Sequence, residues 1–269
     1  MNGAGNDFIV VDNRDDSLSA TLDRETISAL CDRHRGIGAD GLLAVETAQH
    51  GADFRFRYYN ADGGEAEMCG NGARCFGRFV AHLTEDVKES VSFETISGTL
   101  TAEMVGEDVR IAMSQPKDLK MNLEITADGL TEKVYFINTG VPHAVVFVSD
   151  EEALMSLPVE KLGAQLRHHA AFAPAGTNAN FAAVLEHGHI AIRTYERGVE
   201  GETLACGTGM VACALLHHLM TSAPSPILVD VVGGDTLEIG FEKNDVGDFI
   251  DVTLTGPADF VFEGEIQIE

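Results

Sequence analysis

Four features of this chain recur in the same order about half a chain apart. Residues 5–11 resemble residues 140–146 at an offset of 135, and helix-like stretches begin near Asp23 and at Pro158 with the same offset. Residues 40–43 resemble residues 178–181 at an offset of 138, and Cys69 corresponds to Cys206 at an offset of 137. A repeat over most of the length indicates that one structural unit occurs twice. The sequence therefore predicts two similar domains related by a pseudo-twofold axis.

The segments between these features favour short strands. Residues 54–58, 91–94 and 250–254 alternate with a period of two, and further strands are predicted at 8–11, 109–113, 144–148, 181–185, 227–232 and 236–241. Close spacing and frequent turns rich in glycine and aspartate favour antiparallel pairing. Because strands and helices do not alternate regularly, a doubly wound nucleotide-binding fold is disfavoured. The predicted fold class is α+β with a mostly antiparallel sheet.

Four helices are predicted, over residues 23–34, 73–83, 158–169 and 209–220. In the first, Ile27, Leu30 and Cys31 share one apolar face. The last helix is apolar nearly all round, which indicates burial on all sides, within a sheet that wraps around it. Residues 114–116 are the predicted linker. The predicted domains are 1–114, with a C-terminal strand over about 256–269, and 115–255.

Composition limits the function classes. A net charge of −25 with six lysines leaves no basic patch, which disfavours a nucleic-acid or membrane partner. Adaptation to high salt is an alternative reason for the acidic excess. Five cysteines without a CxxC pair favour a reducing compartment, so a cytoplasmic location is expected. No apolar stretch is long enough for a membrane span, and no signal peptide is recognisable at the start.

Cys69 and Cys206 each precede a glycine-spaced turn and a helix-like apolar run. A helix N-terminus favours a thiolate and binds anions. One thiol on each face of a stereocentre can remove a proton from one face and return it to the other, which inverts configuration without a cofactor. The amides at the two helix starts would hold the substrate carboxylate and stabilise the carbanion. Cys31, Cys75 and Cys213 are interpreted as small buried apolar residues.

Three other interpretations of Cys69 and Cys206 remain open. They could be buried apolar residues, or they could form a disulfide, which would be an oxidised and inactive form. A zinc site is a third alternative. Its usual ligand spacing is absent, and the adjacent histidines at 168–169 and 217–218 lack partner motifs, so no metal is expected.

Seven motifs together resemble the diaminopimelate epimerase family over nearly the whole chain. They are residues 5–8, 60–63, 68–74, 142–143, Asn178, 195–198 and 205–209. The resemblance implies two domains, each a mostly antiparallel barrel-like sheet around a central helix. It also implies cofactor-independent conversion of LL-2,6-diaminopimelate to the meso form, a step of lysine and peptidoglycan biosynthesis.

The resemblance implies a role for each candidate site residue. Cys69 and Cys206 are implied to be the acid/base pair, and Asn6 is implied to hold the reacting amino group. The reacting carboxylate is implied to bind the backbone N–H groups of Gly70, Asn71, Gly207 and Thr208. The distal amino-acid head is implied to bind Asn60, Asn178, Glu196 and Arg197. His143 and Glu196 are implied to tune the pKa values of the thiols.

Some positions differ from the family pattern, and alternatives follow from them. Val141 stands where the family often has asparagine, and Gly41 stands where some members have glutamine. Both put the distal contacts in question, so a broad-specificity amino-acid racemase is one alternative. A proline racemase is another, although such enzymes usually have histidine in place of Asn71 and lack a Glu196–Arg197 pair. A non-catalytic binding protein is a third. The partner is a small-molecule substrate, and homodimer formation is left open.

Overall fold

The computed structural model describes residues 1–66, 68–84, 89–127 and 130–268. The chain divides into two compact units, the first made of residues 1–112 and 256–269 and the second of residues 113–255. Within the described residues, no helix has the length and apolar character needed to cross a membrane.

The first unit contains eight strands and two helices among its described residues. They are β1 (Asn2–Gly3), β2 (Asn6–Asp12), α1 (Arg24–Cys31), β3 (Gly41–Thr47), β4 (Phe54–Asn60), β5 (Glu65–Ala66), α2 (Gly70–Leu83), β6 (Ser90–Thr95), β7 (Gly98–Val105) and β8 (Asp108–Ala112). β2 runs parallel to β3, while the pairs β3–β4, β6–β7 and β7–β8 are antiparallel.

Helix α2 packs its first half into the core of this unit. Residues 71–77 are all buried. The Phe76 ring lies 5.0 Å from the ring of Phe56 and 4.9 Å from that of Phe93, measured between centroids. Fully buried Arg74 donates from Nε to the carbonyl oxygen of Pro257 at 3.2 Å. Helix α2, whose N-cap is Cys69, therefore packs against β4 and β6.

Helix α1 is shorter than predicted. Asp23 caps it by accepting a hydrogen bond from the Thr26 amide at 2.8 Å, and the predicted apolar face is buried. The helix ends at Cys31 rather than near residue 34. The side chain of Asp32 accepts hydrogen bonds from the amides of residues 34 and 35, and such local bonds compete with the helical ladder.

The second unit contains nine strands, three α-helices and one short 3₁₀ helix (Ala170–Phe172) among its described residues. They are β9 (Lys117–Ala127), β10 (Leu130–Asn138), β11 (Pro142–Phe147), α3 (Glu151–Ser156), α4 (Val159–Arg167), β12 (Asn178–Glu186), β13 (His189–Glu196), β14 (Gly201–Thr203), α5 (Gly207–Thr221), β15 (Ile227–Asp230), β16 (Thr236–Lys243) and β17 (Phe249–Pro257). β11 runs parallel to β12, and β12 is antiparallel to β13. Every residue of α5 from Gly209 to His217 is buried, as the sequence predicts.

The strand registers show which positions of the two units correspond. Phe8 pairs with Gly41 in the first unit, and His143 pairs with Asn178 in the second. Since Phe8 and His143 are matched by the sequence repeat, Gly41 is the counterpart of Asn178. The predicted match of residue 40 with residue 178 is therefore wrong by one position. The corrected offset of 137 is the same as the offset between the two cysteines.

The α+β class with mostly antiparallel strands is confirmed. Several boundaries differ. The helices predicted from 73 and 209 begin three and two residues earlier, directly after the cysteines, and Pro158 is the N-cap of α4 rather than its first residue. The sequence did not predict helix α3, the 3₁₀ helix or eight of the strands, which are β1, β3, β5, β7, β9, β10, β13 and β14. The predicted strand over 256–269 is not found: β17 ends at Pro257, and among residues 258–268 only Asp259 makes a bridge, to Asn2.

Candidate active site

Both candidate cysteines are N-cap residues. Cys69 precedes α2 and Cys206 precedes α5, each with extended backbone angles. The first helical hydrogen bonds run from the Ala73 amide to the Cys69 carbonyl at 2.8 Å and from the Met210 amide to the Cys206 carbonyl at 2.9 Å. The amides of residues 70–72 and 207–209 therefore lie ahead of each ladder, at the positive end of the helix dipole, where anions bind.

In the first unit, the side chain of Asn6 lies next to the Cys69 thiol. Its Nδ2 donates to Oδ2 of Asp40 at 2.6 Å, so its Oδ1 is turned toward the helix start. That oxygen lies 3.6 Å from the Cys69 sulfur and 3.5 Å from Nδ2 of Asn71. Arg33 binds both Asp40 and Asp7 at 2.7 Å and fixes the carboxylate that orients Asn6. Cys69 therefore faces a hydrogen-bond acceptor.

Asn60 lies at the end of β4. Its side-chain Oδ1 accepts a hydrogen bond from the Tyr58 hydroxyl at 2.7 Å. Its backbone N–H donates to the Gly64 carbonyl at 2.9 Å in a tight turn.

In the second unit, His143 lies below the start of α5. Its Nε2 is 2.9 Å from the Thr208 hydroxyl, and its Nδ1 is 3.1 Å from Nδ2 of Asn180. The Thr208 hydroxyl is 3.7 Å from the Cys206 sulfur. The side chain is fully buried, and this burial lowers the pKa of His143 to about 3. The imidazole is therefore neutral at physiological pH.

The His143 ring is expected to remain neutral from about pH 5 to 8, because an ordinary histidine pKa is near 6.5 and burial has lowered this one. Below about pH 6.5, His143 binds a proton in the unfolded chain that it does not bind in the folded protein. His143 therefore makes the folded state less stable as the pH falls from about 6.5 toward 3. A ¹⁵N NMR titration of the ring, assigned with His143→Gln, measures this. A His143 midpoint between about pH 6 and 7 would contradict the expectation.

Glu196 is a second ionisable group at the Cys206 thiol. Burial raises the pKa of its carboxyl group, while hydrogen bonds from Thr203 and Cys206 act in the opposite direction. The Thr203 hydroxyl donates to Glu196 Oε2 at 3.1 Å. Glu196 therefore accepts hydrogen bonds from both the Thr203 hydroxyl and the Cys206 thiol.

The side chain of Asn178 is hydrogen-bonded to the backbone of Arg197. The Arg197 amide donates to Asn178 Oδ1 at 2.7 Å, and Asn178 Nδ2 donates to the Pro142 carbonyl at 3.3 Å. The Arg197 guanidinium donates to the Ala175 carbonyl at 3.2 Å. Asn178 therefore ties the start of β11 to the turn that follows β13.

The structure thus gathers the predicted residues into groups within each unit. Cys69, Asn71 and Asn6 contact one another in the first unit, and Cys206 contacts Thr208 and Glu196 in the second. Gly70 and Gly207 are the first residues of the two helices.

Sequence reasoning missed Asn180, which contacts His143. One signal could have found it. Asn178 and Asn180 are polar residues two apart, on one face of a strand that is otherwise apolar in its first half.

The other three cysteines fit their predicted role as buried apolar residues. Burial raises the pKa of Cys31 to about 11 and that of Cys75 to about 12, and it raises the pKa of Cys213 further. All five cysteines are free thiols. Within the described residues, no cluster of histidine, cysteine and carboxylate side chains has the arrangement of a metal site.

Comparison with known proteins gives the family of this chain. A sequence model of the diaminopimelate epimerase family matches residues 1–118 and 135–261. The chain is 42% identical to the diaminopimelate epimerase of Hydrogenobaculum sp. (strain Y04AAS1), over 99% of this chain and 97% of the relative. It is 43% identical to that of Chlorobaculum tepidum over the full length of both. The fold is similar to that of a PhzF-family phenazine biosynthesis protein from Bacillus anthracis, with a TM-score of 0.69 and 15% identity over 96% of this chain and 92% of that one.

The fold and these relatives define an isomerase of the epimerase class. Both of these diaminopimelate epimerases are more than 40% identical to this chain over nearly their full length. The chain belongs to the diaminopimelate epimerase family.

Proposed function

We propose that this protein interconverts LL-2,6-diaminopimelate and meso-diaminopimelate without a cofactor, as a step of lysine and peptidoglycan biosynthesis. One thiolate removes the α-proton and becomes a thiol. The other cysteine, which starts as a thiol, donates its proton to the opposite face of the carbanion and becomes the thiolate. One C–H bond breaks and another forms, and the configuration at that carbon is inverted.

The observation that carries this proposal is that Cys69 and Cys206 are both N-caps of long buried helices, in a chain of this family. The α-proton of an amino acid is weakly acidic, so the carbanion needs strong electrostatic stabilisation. We assign this to the amides of Gly70, Asn71, Gly207 and Thr208, which would bind the reacting carboxylate.

The remaining residues are assigned to the two polar heads of the substrate. Asn6 would hold the reacting amino group. The distal head carries an ammonium and a carboxylate, so we assign it to Asn60, Asn178, Glu196 and the Arg197 guanidinium, whose planar fork suits a carboxylate. The two compact units would be the two epimerase domains; Cys69 belongs to the first and Cys206 to the second.

The test is epimerisation and α-proton exchange in D₂O, followed by NMR and chiral chromatography. LL-diaminopimelate is expected to exchange its α-proton and yield the meso form, whereas L-proline, L-glutamate and L-aspartate are not. Val141 and Gly41 make this substrate panel informative, because both residues stand where relatives could contact the distal head. Preferential turnover of proline would overturn the proposed substrate, and turnover of all four would indicate a broad-specificity racemase.

A further inference from the structure

Asn180 is a buried residue of β12 that lies directly below the start of α5. Its Nδ2 donates hydrogen bonds to the Ala144 carbonyl and to His143 Nδ1, both at 3.1 Å, and its Oδ1 accepts one from the Thr194 hydroxyl at 3.0 Å. A carbonyl oxygen can only accept, so the NH₂ group must face Ala144 and the amide has one orientation. A Cβ at Gly209 would lie 2.5 Å from Asn180 Oδ1, so that glycine makes room for the amide.

This orientation fixes the tautomer of His143. Since Nδ1 receives a hydrogen bond from Asn180, the proton of the neutral ring must be on Nε2. That Nε2–H donates to the Thr208 hydroxyl oxygen at 2.9 Å. The hydroxyl has accepted on its oxygen, and its own proton is available to the Cys206 sulfur at 3.7 Å. The donors therefore run in one direction from Asn180 to the Thr208 hydroxyl, and a thiolate at Cys206 can accept the hydroxyl proton.

We propose that Asn180 is a positioning residue which, through His143 and Thr208, directs a hydroxyl proton at the Cys206 sulfur and so stabilises the thiolate of Cys206. A hydrogen bond donated to the charged form of a group favours that form. The inference rests on the proposed function only in taking Cys206 to be a proton-transfer group.

The first unit has different residues at the equivalent positions. Phe8 and Leu43 correspond to His143 and Asn180, since Gly41 corresponds to Asn178. A Cβ at Gly72, the counterpart of Gly209, would lie 3.2 Å from a Leu43 methyl carbon and 3.5 Å from the Phe8 ring. Apolar side chains thus lie below α2 where the donor chain lies below α5.

Cys69 is instead next to the acceptor Asn6 Oδ1, which favours the protonated thiol because only S–H can donate to it. The two thiols therefore have different surroundings: Cys69 is next to Asn6 Oδ1, whereas Cys206 is next to the Thr208 hydroxyl and the Glu196 carboxyl group.

Glu196 is the other titratable group at Cys206, and the Arg197 guanidinium adds a positive charge near His143. Glu196 is hydrogen-bonded to Cys206, so the measured midpoint depends on both groups. The test therefore compares variants that all retain Glu196 and Arg197, and it measures the change in midpoint rather than its absolute value.

The test measures the pH dependence of iodoacetamide alkylation at each cysteine of the full-length protein, resolved by peptide mass spectrometry. In Asn180→Leu, which introduces the residue found at position 43, the Cys206 midpoint is expected to rise by about one to two pH units. Alkylation of Cys206 below that midpoint should fall by about 10- to 100-fold. Thr208→Val removes the last donor and should give the same shift, whereas Thr208→Ser keeps the hydroxyl and should retain the wild-type midpoint.

Cys69 and Cys213 are controls within the same molecule. Cys69 should keep its midpoint in every variant, and Cys213 in α5 should remain unlabelled unless the core opens. An unchanged Cys206 midpoint in Asn180→Leu would overturn the inference whatever Thr208→Val shows, as would an equal shift at both active-site thiols with labelling of Cys213. No substrate is used, so a wild-type protein without epimerase activity would refute the proposed function and leave this measurement valid.

Discussion

Cys206→Ala is expected to reduce epimerisation by about 10²- to 10⁴-fold or more, and Cys69→Ala is expected to do the same, because each would remove one of the two proton-transfer groups of the proposed mechanism. In that mechanism neither loss could be compensated by the other thiol, which would serve the opposite face of the carbon. Serine at either position should also be much slower than cysteine, since a hydroxyl is a poor base near neutral pH. The measurement is the rate of meso-diaminopimelate formation from the LL isomer, with circular dichroism to check the fold.

Cys213→Ala is the matched control. It removes a thiol from α5 that is fully buried and lies seven residues after the N-cap Cys206. Its activity should stay close to that of the wild-type protein. Activity above about a tenth of the wild-type value in either Cys69→Ala or Cys206→Ala would be incompatible with a two-thiol mechanism.

Phe76→Ala is expected to lower the free energy of unfolding by about 3–5 kcal/mol, a large part of the stability of an ordinary domain. The ring is fully buried between Phe56 and Phe93, on the helix that carries Cys69 at its start. Its removal leaves a cavity and loses two aromatic contacts. Urea denaturation followed by circular dichroism measures the change.

Phe262→Ala is the comparison variant, because the side chain of Phe262 is 70% exposed. It should change the free energy of unfolding by less than about 0.5 kcal/mol. If Phe76→Ala costs less than about 1 kcal/mol, the aromatic cluster around α2 is not the core contact described above.

Local signals in the sequence were sufficient for several elements. The α+β class follows from short alternating strands, and the buried face of α1 follows from Ile27, Leu30 and Cys31 at helical spacing. The cysteines at the helix starts were found because glycine-spaced turns followed by apolar runs are local features. Boundaries were less accurate, since capping and side-chain hydrogen bonds such as those of Asp32 decide where a helix begins or ends.

The surroundings of the two thiols were decided by tertiary structure. His143, Asn180 and Thr208 are far apart along the chain and meet because β11 pairs with β12 in one register below α5. Strand register is set by long-range pairing, and a shift of one residue would turn every side chain to the other face. The sequence repeat alone placed residue 178 opposite residue 40, an error that only the register corrected.

The amino-acid sequence by itself thus determined the two thiols, the helices that follow them and the fold class, because each depends on residues close together in the chain. Only the tertiary structure decided that Cys69 lies next to Asn6 Oδ1 and Cys206 next to the Thr208 hydroxyl. The direction of each hydrogen bond between Asn180, His143 and Thr208 depends on which groups can donate and which can only accept. Here it is fixed by the Ala144 carbonyl, which no local pattern connects to Cys206.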